Sequence, residues 1–185
     1  FSAKMISVAK RINKRINKSR KVIYLVHDMR KMSIFSQRFD VVVSVNSIIM
    51  PNIKDVMKSM KSINLSMKPG GVFLGIFPAM ESILYQGYLI MEEQLSKYNN
   101  QKKALIQTNR ILERKKFDFV SGTYKDGKDV QKFYYEFELR LRLQASGFKH
   151  VRISKVLYPW GKDISAYEDF PGKPLMWDWF VEARK

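Results

Sequence analysis

Polar side chains directly follow two apolar runs in this 185-residue chain. Asp28 comes just after residues 22–26, and Asn46 and Ser47 come just after residues 41–45. Short runs rich in β-branched residues are typical of buried parallel strands, and ligands bind beyond the carboxyl ends of such strands. A carboxylate at the position of Asp28 could accept a hydrogen bond from an adenine amino group, or it could simply cap the next turn. The sequence leaves both roles open.

A strand–helix–strand unit positions the second polar pair. The apolar runs 41–45 and 72–77 flank one helix-length segment, residues 53–67, and a Pro-Gly-Gly break precedes the second run. This order predicts two parallel strands joined by a right-handed crossover helix. The carboxyl ends of the two strands then lie side by side, which brings Asn46 and Ser47 to the ligand-binding edge of the sheet.

The remaining periodicities predict the other elements of the chain. Helices are expected at residues 3–19 (with Ser2 as N-cap), 81–98, 102–114 and 135–143; strands at 22–26, 116–120, 150–158 and 175–183; and a turn or exposed loop at 124–130. Residues 135–143 alternate apolar and charged like a strand. We choose a helix there because Glu136–Arg140 and Glu138–Arg142 are helical pairs of the favoured polarity, and Gly147 stands where a helix C-cap belongs.

Several of these segments together resemble the class I S-adenosylmethionine-dependent methyltransferase family. RFDVVVSVNSIIMPN and LSMKPGGVFLGIFP are similar to its fourth and fifth strands, and KVIYLVHDMRKMSIFSQRFD is similar to its third strand. FSAKMISVAKRINK resembles the segment after its second strand, while YYEFELRLRLQASGFKHVRISKVLYPW and PLMWDWFVEARK resemble its last helix and closing antiparallel pair. The resemblance implies an α/β, Rossmann-like fold with a mostly parallel sheet, an antiparallel C-terminal hairpin and helices on both faces. It also implies one domain, residues 1–185, in which residues 81–134 form a substrate-cover insertion.

The resemblance implies a set of S-adenosyl-L-methionine contacts. Asp28 would bind the adenine amino group beside Met29, apolar residues would surround the ring, and two polar residues would lie beside the methionine moiety and the transferred methyl group. The expected cofactor-binding residues are Phe1, Met5, Asp28, Met29, Asn46 and Ser47. Tyr85, Tyr134 and Tyr158 are candidate substrate-binding residues, with aromatic core packing as the alternative for each. No catalytic base is assigned.

Two parts of the family pattern have no counterpart in this sequence. The family carries a glycine-rich cofactor loop after its first strand and an acidic ribose-binding residue at the end of its second, whereas the first glycine here is Gly70. The resemblance begins in mid-pattern, so the chain is either a fragment of a longer protein or a degenerate member of the family. We choose the fragment and expect the encoded protein to continue upstream of Phe1. That stretch should contain a strand, a turn with at least two glycines and a second strand ending in Asp or Glu.

Composition excludes several other chemistries. The chain has no cysteine, which rules out disulfides, thiolate metal sites and a cysteine nucleophile, and its two histidines make no plausible zinc site. No phosphate-binding loop motif and no Ser–His–Asp arrangement is present. No apolar run approaches the ~18 residues of a membrane span. We therefore expect a cytoplasmic protein without a membrane span or a bound metal.

Charge distinguishes two function classes. Lys and Arg number 34 against 17 Asp and Glu, a net charge of +17, and most of the excess lies before Pro69. Such a surface could attract nucleic acid, although it could equally reflect a compositional bias toward lysine. The chain lacks the Asn/Asp-Pro-Pro-aromatic run that amino-methylating nucleic-acid enzymes use to hold a flipped base. We therefore predict methyl transfer to an O, N or C nucleophile of a small molecule. The alternative is a basic RNA-binding or RNA-methylating protein, or an inactive binding module of this fold.

Overall fold

A computed structural model describes residues 3–16, 22–114, 117–126, 128–157 and 176–185. The helices are α1 (Ala3–Ile16), a 3₁₀ helix (Met29–Phe35), α2 (Ile53–Ser66), α3 (Met80–Tyr98), α4 (Gln101–Arg114) and α5 (Glu136–Ala145). The strands are β1 (Phe39–Val45), β2 (Met67–Pro78), β3 (Phe117–Asp118), β4 (Thr123–Asp126), β5 (Asp129–Lys132), β6 (Lys149–Leu157) and β7 (Trp177–Arg184). Across these ranges, no helix is both long and apolar enough to cross a membrane.

The main sheet has the strand order β1-β2-β7-β6. Strand β1 runs parallel to β2, whereas β7 is antiparallel to both of its neighbours. The predicted α/β fold with an antiparallel C-terminal hairpin is confirmed, and the parallel part of the described sheet is the β1–β2 pair. Strands β3, β4 and β5 form a second, antiparallel sheet.

Helix α2 is the predicted crossover between β1 and β2. Asn52 caps its first turn by accepting a hydrogen bond of 2.9 Å from the backbone N–H of Lys54. Val56, Met60 and Ile63 recur at helical spacing, and all three are buried. These side chains join one hydrophobic cluster with residues of α5 and of the sheet, so α2 is held by packing of its apolar stripe.

Aromatic side chains fill the centre of this cluster. The Phe73 ring lies 5.1 Å from Phe148, and the Phe77 ring meets Tyr134 edge-on at 5.3 Å. Trp177 and Trp179 are buried too and belong to the same cluster. Large rings of this kind contribute most of the buried apolar area of a small core.

The opposite face of β1 is much more open. Successive side chains of a strand point to opposite faces. Val42 packs against the core cluster, whereas Val41, Val43 and Val45 are more than half exposed. In the described part of the chain, β1 forms one edge of the sheet.

The buried strand predicted at residues 22–26 is wrong. This stretch is extended but has no strand partner within the described residues, and Ile23 and Leu25 are 76% and 58% exposed. A strand is stabilised by hydrogen bonds to a neighbour and by burial of its side chains. Residues 22–26 have high β-propensity, but without a neighbouring strand and without burial of their side chains they form an irregular segment.

Helix α1 is described from Ala3 to Ile16, and the rest of the predicted helix, residues 17–19, lies outside the described residues. Ser2, the predicted N-cap, lies outside the described residues. The basic face of α1, formed by Lys10, Arg11, Lys14 and Arg15, is exposed. No residue of α1 is buried, and the apolar residues Ile12 and Ile16 are 48% and 80% exposed.

The choice of helix for residues 135–143 is confirmed by α5. Arg140 pairs with Glu136, and Arg142 donates to Glu138 over 2.7 Å. Gly147 follows the helix with φ +93°, and the next N–H, of Phe148, donates to the carbonyl of Leu143. Helical pairing and the C-cap therefore outweigh the strand-like alternation.

The loop predicted at residues 124–130 is instead a β-hairpin. Strands β4 and β5 pair from Thr123↔Lys132 to Asp126↔Asp129. The turn residues were read correctly, but the flanking residues pair with each other. The strand predicted at residues 116–120 shrinks to the two residues of β3.

Candidate functional site

A cleft of about 760 Å³ opens where the segment after residues 22–26, the loop after β1 and the β4–β5 hairpin meet. It is lined by Val26, His27, Asp28, Met29, Arg30, Ser47, Ile49, Met50, Pro51, Asp129, Val130 and Gln131. Three predicted cofactor-binding residues, Asp28, Met29 and Ser47, are thus brought together from two separate segments. The volume lies within the usual range of ~300–1,000 Å³ for ligand pockets.

Asp28 occupies the start of the 3₁₀ helix. Its Oδ1 accepts the backbone N–H of Arg30 at 2.9 Å, and both carboxylate oxygens accept bonds from the Arg30 guanidinium. These hydrogen bonds lower the pKa of Asp28 from 3.8 to about 2. The turn-capping role is therefore realised in the structure, and the carboxylate stays ionised at the wall of the cleft.

Arg30 also connects this wall to the crossover helix. Its Nη1 donates to Oδ1 of Asp55, in the first turn of α2, over 3.1 Å. The two carboxylates raise the pKa of the Arg30 guanidinium above its usual value. The arginine thereby fixes Asp28 relative to α2.

Asn46 and Ser47 form the turn at the end of β1. Asn46 has a left-handed φ of +42°, which asparagine tolerates better than most residues, and its backbone N–H donates to the Ile76 carbonyl over 2.9 Å. The Ser44 and Ser47 hydroxyls share a hydrogen bond of 2.7 Å. The turn is therefore held by the backbone bond of Asn46 and by the bond between the two serine hydroxyls. The Asn46 side chain is exposed.

Asp178 stands at the same end of the sheet and was missed by the sequence analysis. It follows the first residue of β7, opposite Pro78 at the end of β2. Its Oδ2 accepts a hydrogen bond of 3.2 Å from Nδ2 of Asn46. A single acid inside a tryptophan-rich run gives no sequence signal, because only the register of β7 against β2 brings it to the strand ends.

Four other predicted site residues that the structure describes do not line the cleft: Met5, Asn46, Tyr85 and Tyr134. Tyr134 is fully buried, its hydroxyl donates to the Ile48 carbonyl over 2.7 Å, and burial raises its pKa. It is a core residue, so the structure does not support a substrate contact. Tyr85 lies on α3 with its ring 5.8 Å from Trp177. Met5 lies on α1 and is 66% exposed. Phe1 and Tyr158 lie outside the described residues.

A buried lysine anchors the hairpin wall of the cleft. The Lys132 side chain is 1% exposed, and its Nζ donates to the Ser121 and Phe133 carbonyls and to Glu138. Desolvation lowers the pKa of Lys132, while Glu138 opposes that shift. The backbone N–H of Lys132 also donates to the Ile49 carbonyl. This bond joins the hairpin to the loop after β1. This anchor was not predicted from the sequence.

The fold is similar to solved methyltransferase structures. A SAM-dependent methyltransferase from Methanosarcina mazei matches 100% of this chain and 78% of its own, with a TM-score of 0.61 and 13% identity. A Thermotoga maritima protein described as a SAM-dependent methyltransferase, possible histamine N-methyltransferase, matches 95% of this chain and 70% of its own, at TM-score 0.52 and 18% identity. A possible exported protein from Bordetella parapertussis matches 100% of this chain and 51% of its own, at TM-score 0.59 and 14% identity. At these identities the likeness concerns the fold.

Sequence comparison adds a match to a family model. Residues 1–75 match the family model described as a methyltransferase domain, and this stretch contains Asp28, Met29, Asn46 and Ser47. In sequence and in fold, this part of the chain is similar to methyltransferase domains. No curated protein sequence matches the chain. The matched stretch ends within β2, so it covers β1, most of β2 and two of the three segments that form the cleft.

The cleft fits the cofactor that the resemblance to methyltransferases implies. Apolar side chains of Val26, Met29, Ile49 and Met50 can flank a flat adenine ring, and the ionised Asp28 carboxylate lies beside them. S-adenosylmethionine, when bound, supplies the methyl group. Asp28, Met29 and Ser47 are the described residues that would hold it. No group of three or more potential metal ligands is present in the part of the chain that the structure describes.

Proposed function

We propose that this protein transfers a methyl group from S-adenosylmethionine to a nucleophilic atom of a small molecule. The observation that carries the proposal is the convergence of Asp28, Met29 and Ser47 in one cleft, at the end of the sheet where β1 and β2 finish. Ligands of open α/β sheets bind at this end. The methyltransferase match of residues 1–75 supports the reaction class.

Each wall of the cleft has a distinct task in this proposal. The apolar wall around Met29 and Met50 holds the adenine, and Asp28, fixed by Arg30, accepts a hydrogen bond from its amino group. Ser47 and Asn46 lie toward the methionine moiety and the reacting methyl group. Because a sulfonium methyl is already electrophilic, the main task of the protein is to align the nucleophile with it.

Residues 81–134 provide the substrate cover in this proposal. The β4–β5 hairpin at the end of this segment contributes Asp129, Val130 and Gln131 to the cleft. Its position depends on Lys132, which ties it to α5 through Glu138 and to the loop after β1. A wall held this firmly can shape the pocket without closing over it.

A second candidate is RNA as the methyl acceptor. The observation in its favour is α1, whose Lys10, Arg11, Lys14 and Arg15 are exposed on a helix without any acidic residue. Phosphate contacts by such a surface would make binding strongly salt-dependent. The cleft lies on other elements, so the basic helix does not itself indicate a reaction on RNA.

One experiment separates the two candidates. The full-length protein is incubated with methyl-labelled S-adenosylmethionine and either a low-molecular-mass cell extract or total RNA from the same cells. The proposal expects label in the small-molecule fraction only. Label in RNA alone would contradict the small-molecule proposal and favour the second candidate.

A further inference from the structure

A groove outside the cofactor cleft lies between the start of α2, the helix α5 and the loop from β3 to β4. Its volume is about 540 Å³, within the usual range of ~300–1,000 Å³ for ligand pockets. Pro51 is the one described residue that lines both the groove and the cleft. The groove is therefore a separate site, which a second molecule can fill while the cleft holds its own ligand.

The walls of the groove are apolar and open to solvent. Val120, Phe137 and Leu141 line it and are 98%, 60% and 64% exposed. Met57 of α2 lines it as well, and the Tyr135 ring stacks on Phe137 at a centroid distance of 5.2 Å. Covering apolar surface of this kind is favourable, and flat rings pack well against an aromatic pair. The body of a fitting ligand is therefore apolar and aromatic.

The charged side chains of the groove, Glu138 and Arg142, belong to a cluster with an excess of positive charge. Oε1 of Glu138 accepts a hydrogen bond of 2.7 Å from Nε of Arg142, and Oε2 accepts one of 2.8 Å from Nζ of the buried Lys132. Desolvation and the charge of Arg142 both lower the pKa of Lys132. Asp118, on the adjoining loop, caps a turn and does not line the groove. One carboxylate thus serves two cations, which leaves one positive charge for an incoming anion.

Arg142 has donors for that anion. Its guanidinium uses Nε for Glu138, whereas Nη1 and Nη2 have no hydrogen-bond partner among the described residues. The side chain is only 24% exposed, so contact with water satisfies these donors only in part. Two parallel N–H groups of a guanidinium match the two oxygens of a carboxylate. A carboxylate therefore satisfies both the unused donors and the excess of charge.

We propose that this groove is a binding site for a small aromatic carboxylate. The carboxylate accepts hydrogen bonds from Nη1 and Nη2 of Arg142, and the ring covers the apolar surface of Phe137 and Leu141. A neutral ring of the same shape gains only the apolar contact, and acetate gains only the ionic one. The proposal does not depend on the reaction proposed for the cleft, because these three residues do not line the cleft.

The test titrates the full-length protein with naphthoate, with naphthamide as its neutral counterpart and with acetate as the anion without a ring. Calorimetry measures the dissociation constants. The NMR signal of the Arg142 Nε–H, identified by its loss in Arg142→Gln, reports contact at this site. Arg140→Gln is the matched control, because Arg140 lies on the same helix and pairs with Glu136 but does not line the groove. Val120→Glu adds a negative charge at a side chain that is 98% exposed, where it should not disturb folding.

The inference expects naphthoate to shift the Arg142 signal and to bind at least tenfold more tightly than naphthamide or acetate. Arg142→Gln should weaken this binding at least tenfold, and Arg140→Gln should change it less than twofold. If Arg142→Gln does not fold, Val120→Glu must weaken the binding of naphthoate and leave that of naphthamide unaffected. Equal binding of naphthoate and naphthamide, an Arg142 signal that does not move, or equal losses in the two arginine variants would overturn the inference.

Discussion

Nζ of Lys132 donates to Oε2 of Glu138 over 2.8 Å, in a site where the lysine side chain is 1% exposed. Glu138 is also bound by Arg142, so one carboxylate on α5 holds two cations. The lysine belongs to the hairpin that lines the cleft. The stability of the fold and the shape of the candidate site therefore depend on the same ion pair.

Replacing Lys132 by Met should lower the free energy of unfolding by about 3 kcal/mol, because the change leaves part of a buried ion-pair network and two carbonyl acceptors without their donor. Chemical denaturation measures the effect. Lys125→Met, on an exposed position of the neighbouring strand, is the matched control and should stay within about 0.5 kcal/mol. An equal loss of unfolding free energy in both variants would show that the buried Lys132–Glu138 pair stabilises the fold no more than an exposed lysine does.

Gly122 leaves room for the Lys132 ammonium. It has φ +64°, and a Cβ at this position would overlap Nζ of Lys132 and approach the Phe133 carbonyl oxygen to 2.7 Å. Gly122→Ala should therefore destabilise the fold by about 2 kcal/mol or more, combining backbone strain with a steric clash. Gly70→Ala is the control, since Gly70 has φ +75° but no atom within 4 Å of a Cβ. Gly70→Ala should lower the free energy of unfolding only by the backbone strain, about 1 kcal/mol. A larger loss for Gly70→Ala than for Gly122→Ala would contradict the predicted clash.

Asp28 should make the fold sensitive to acid. Its pKa falls from 3.8 to about 2 on folding, so the folded state binds fewer protons than the unfolded state between these values. The stability from the Asp28–Arg30 pair is then fully present above pH 4 and is lost as the pH falls toward 2. Thermal unfolding of Asp28→Asn against pH should show a shallower decline over this window than the wild type. Parallel curves would mean that the ion pair does not form in solution.

The basic face of α1 should not take part in the reaction. Lys10 and Lys14 are exposed and lie on a different element from the residues that line the cleft. Replacing both by Gln should leave turnover on a small-molecule acceptor within about twofold. If RNA is the acceptor, each lost phosphate contact should weaken RNA binding and flatten its salt dependence by about one unit. Such a flattened slope, together with lost turnover on RNA, would contradict the small-molecule proposal.

Local pattern predicted the elements whose packing partners lie nearby in sequence. Residues 53–67 carry a cap and an apolar stripe, and α2 forms almost as expected. Residues 22–26 have equal β-propensity, yet they form no strand in the described structure because propensity cannot supply a neighbouring strand. The hairpin at residues 124–130 was missed because only a turn or loop was predicted there. The residues on either side of the turn pair with each other as two short strands.

The residues of the candidate site were likewise predicted only in part. Asp28, Met29 and Ser47 were predicted from the family resemblance and from their positions after apolar runs, and the cleft brings them together although residues 22–26 form no strand. Asp178 and Lys132 were missed because strand register and burial decide their roles. Tyr134 carried the right residue type for a pocket, but its hydroxyl is bonded to the Ile48 carbonyl inside the core.

The most direct test of the cleft as the cofactor site is calorimetric titration of the full-length protein with S-adenosylmethionine. Asp28→Ala should weaken binding by about 1–2 kcal/mol, the usual cost of a lost hydrogen bond to a partly buried partner. Asp118→Ala is the matched control, because Asp118 also caps a turn through the N–H groups of Val120 and Ser121 but does not line the cleft. We expect Asp118→Ala to bind like the wild type. Unchanged affinity in a folded Asp28→Ala protein, or an equal loss in both variants, would contradict the assignment of this cleft to S-adenosylmethionine.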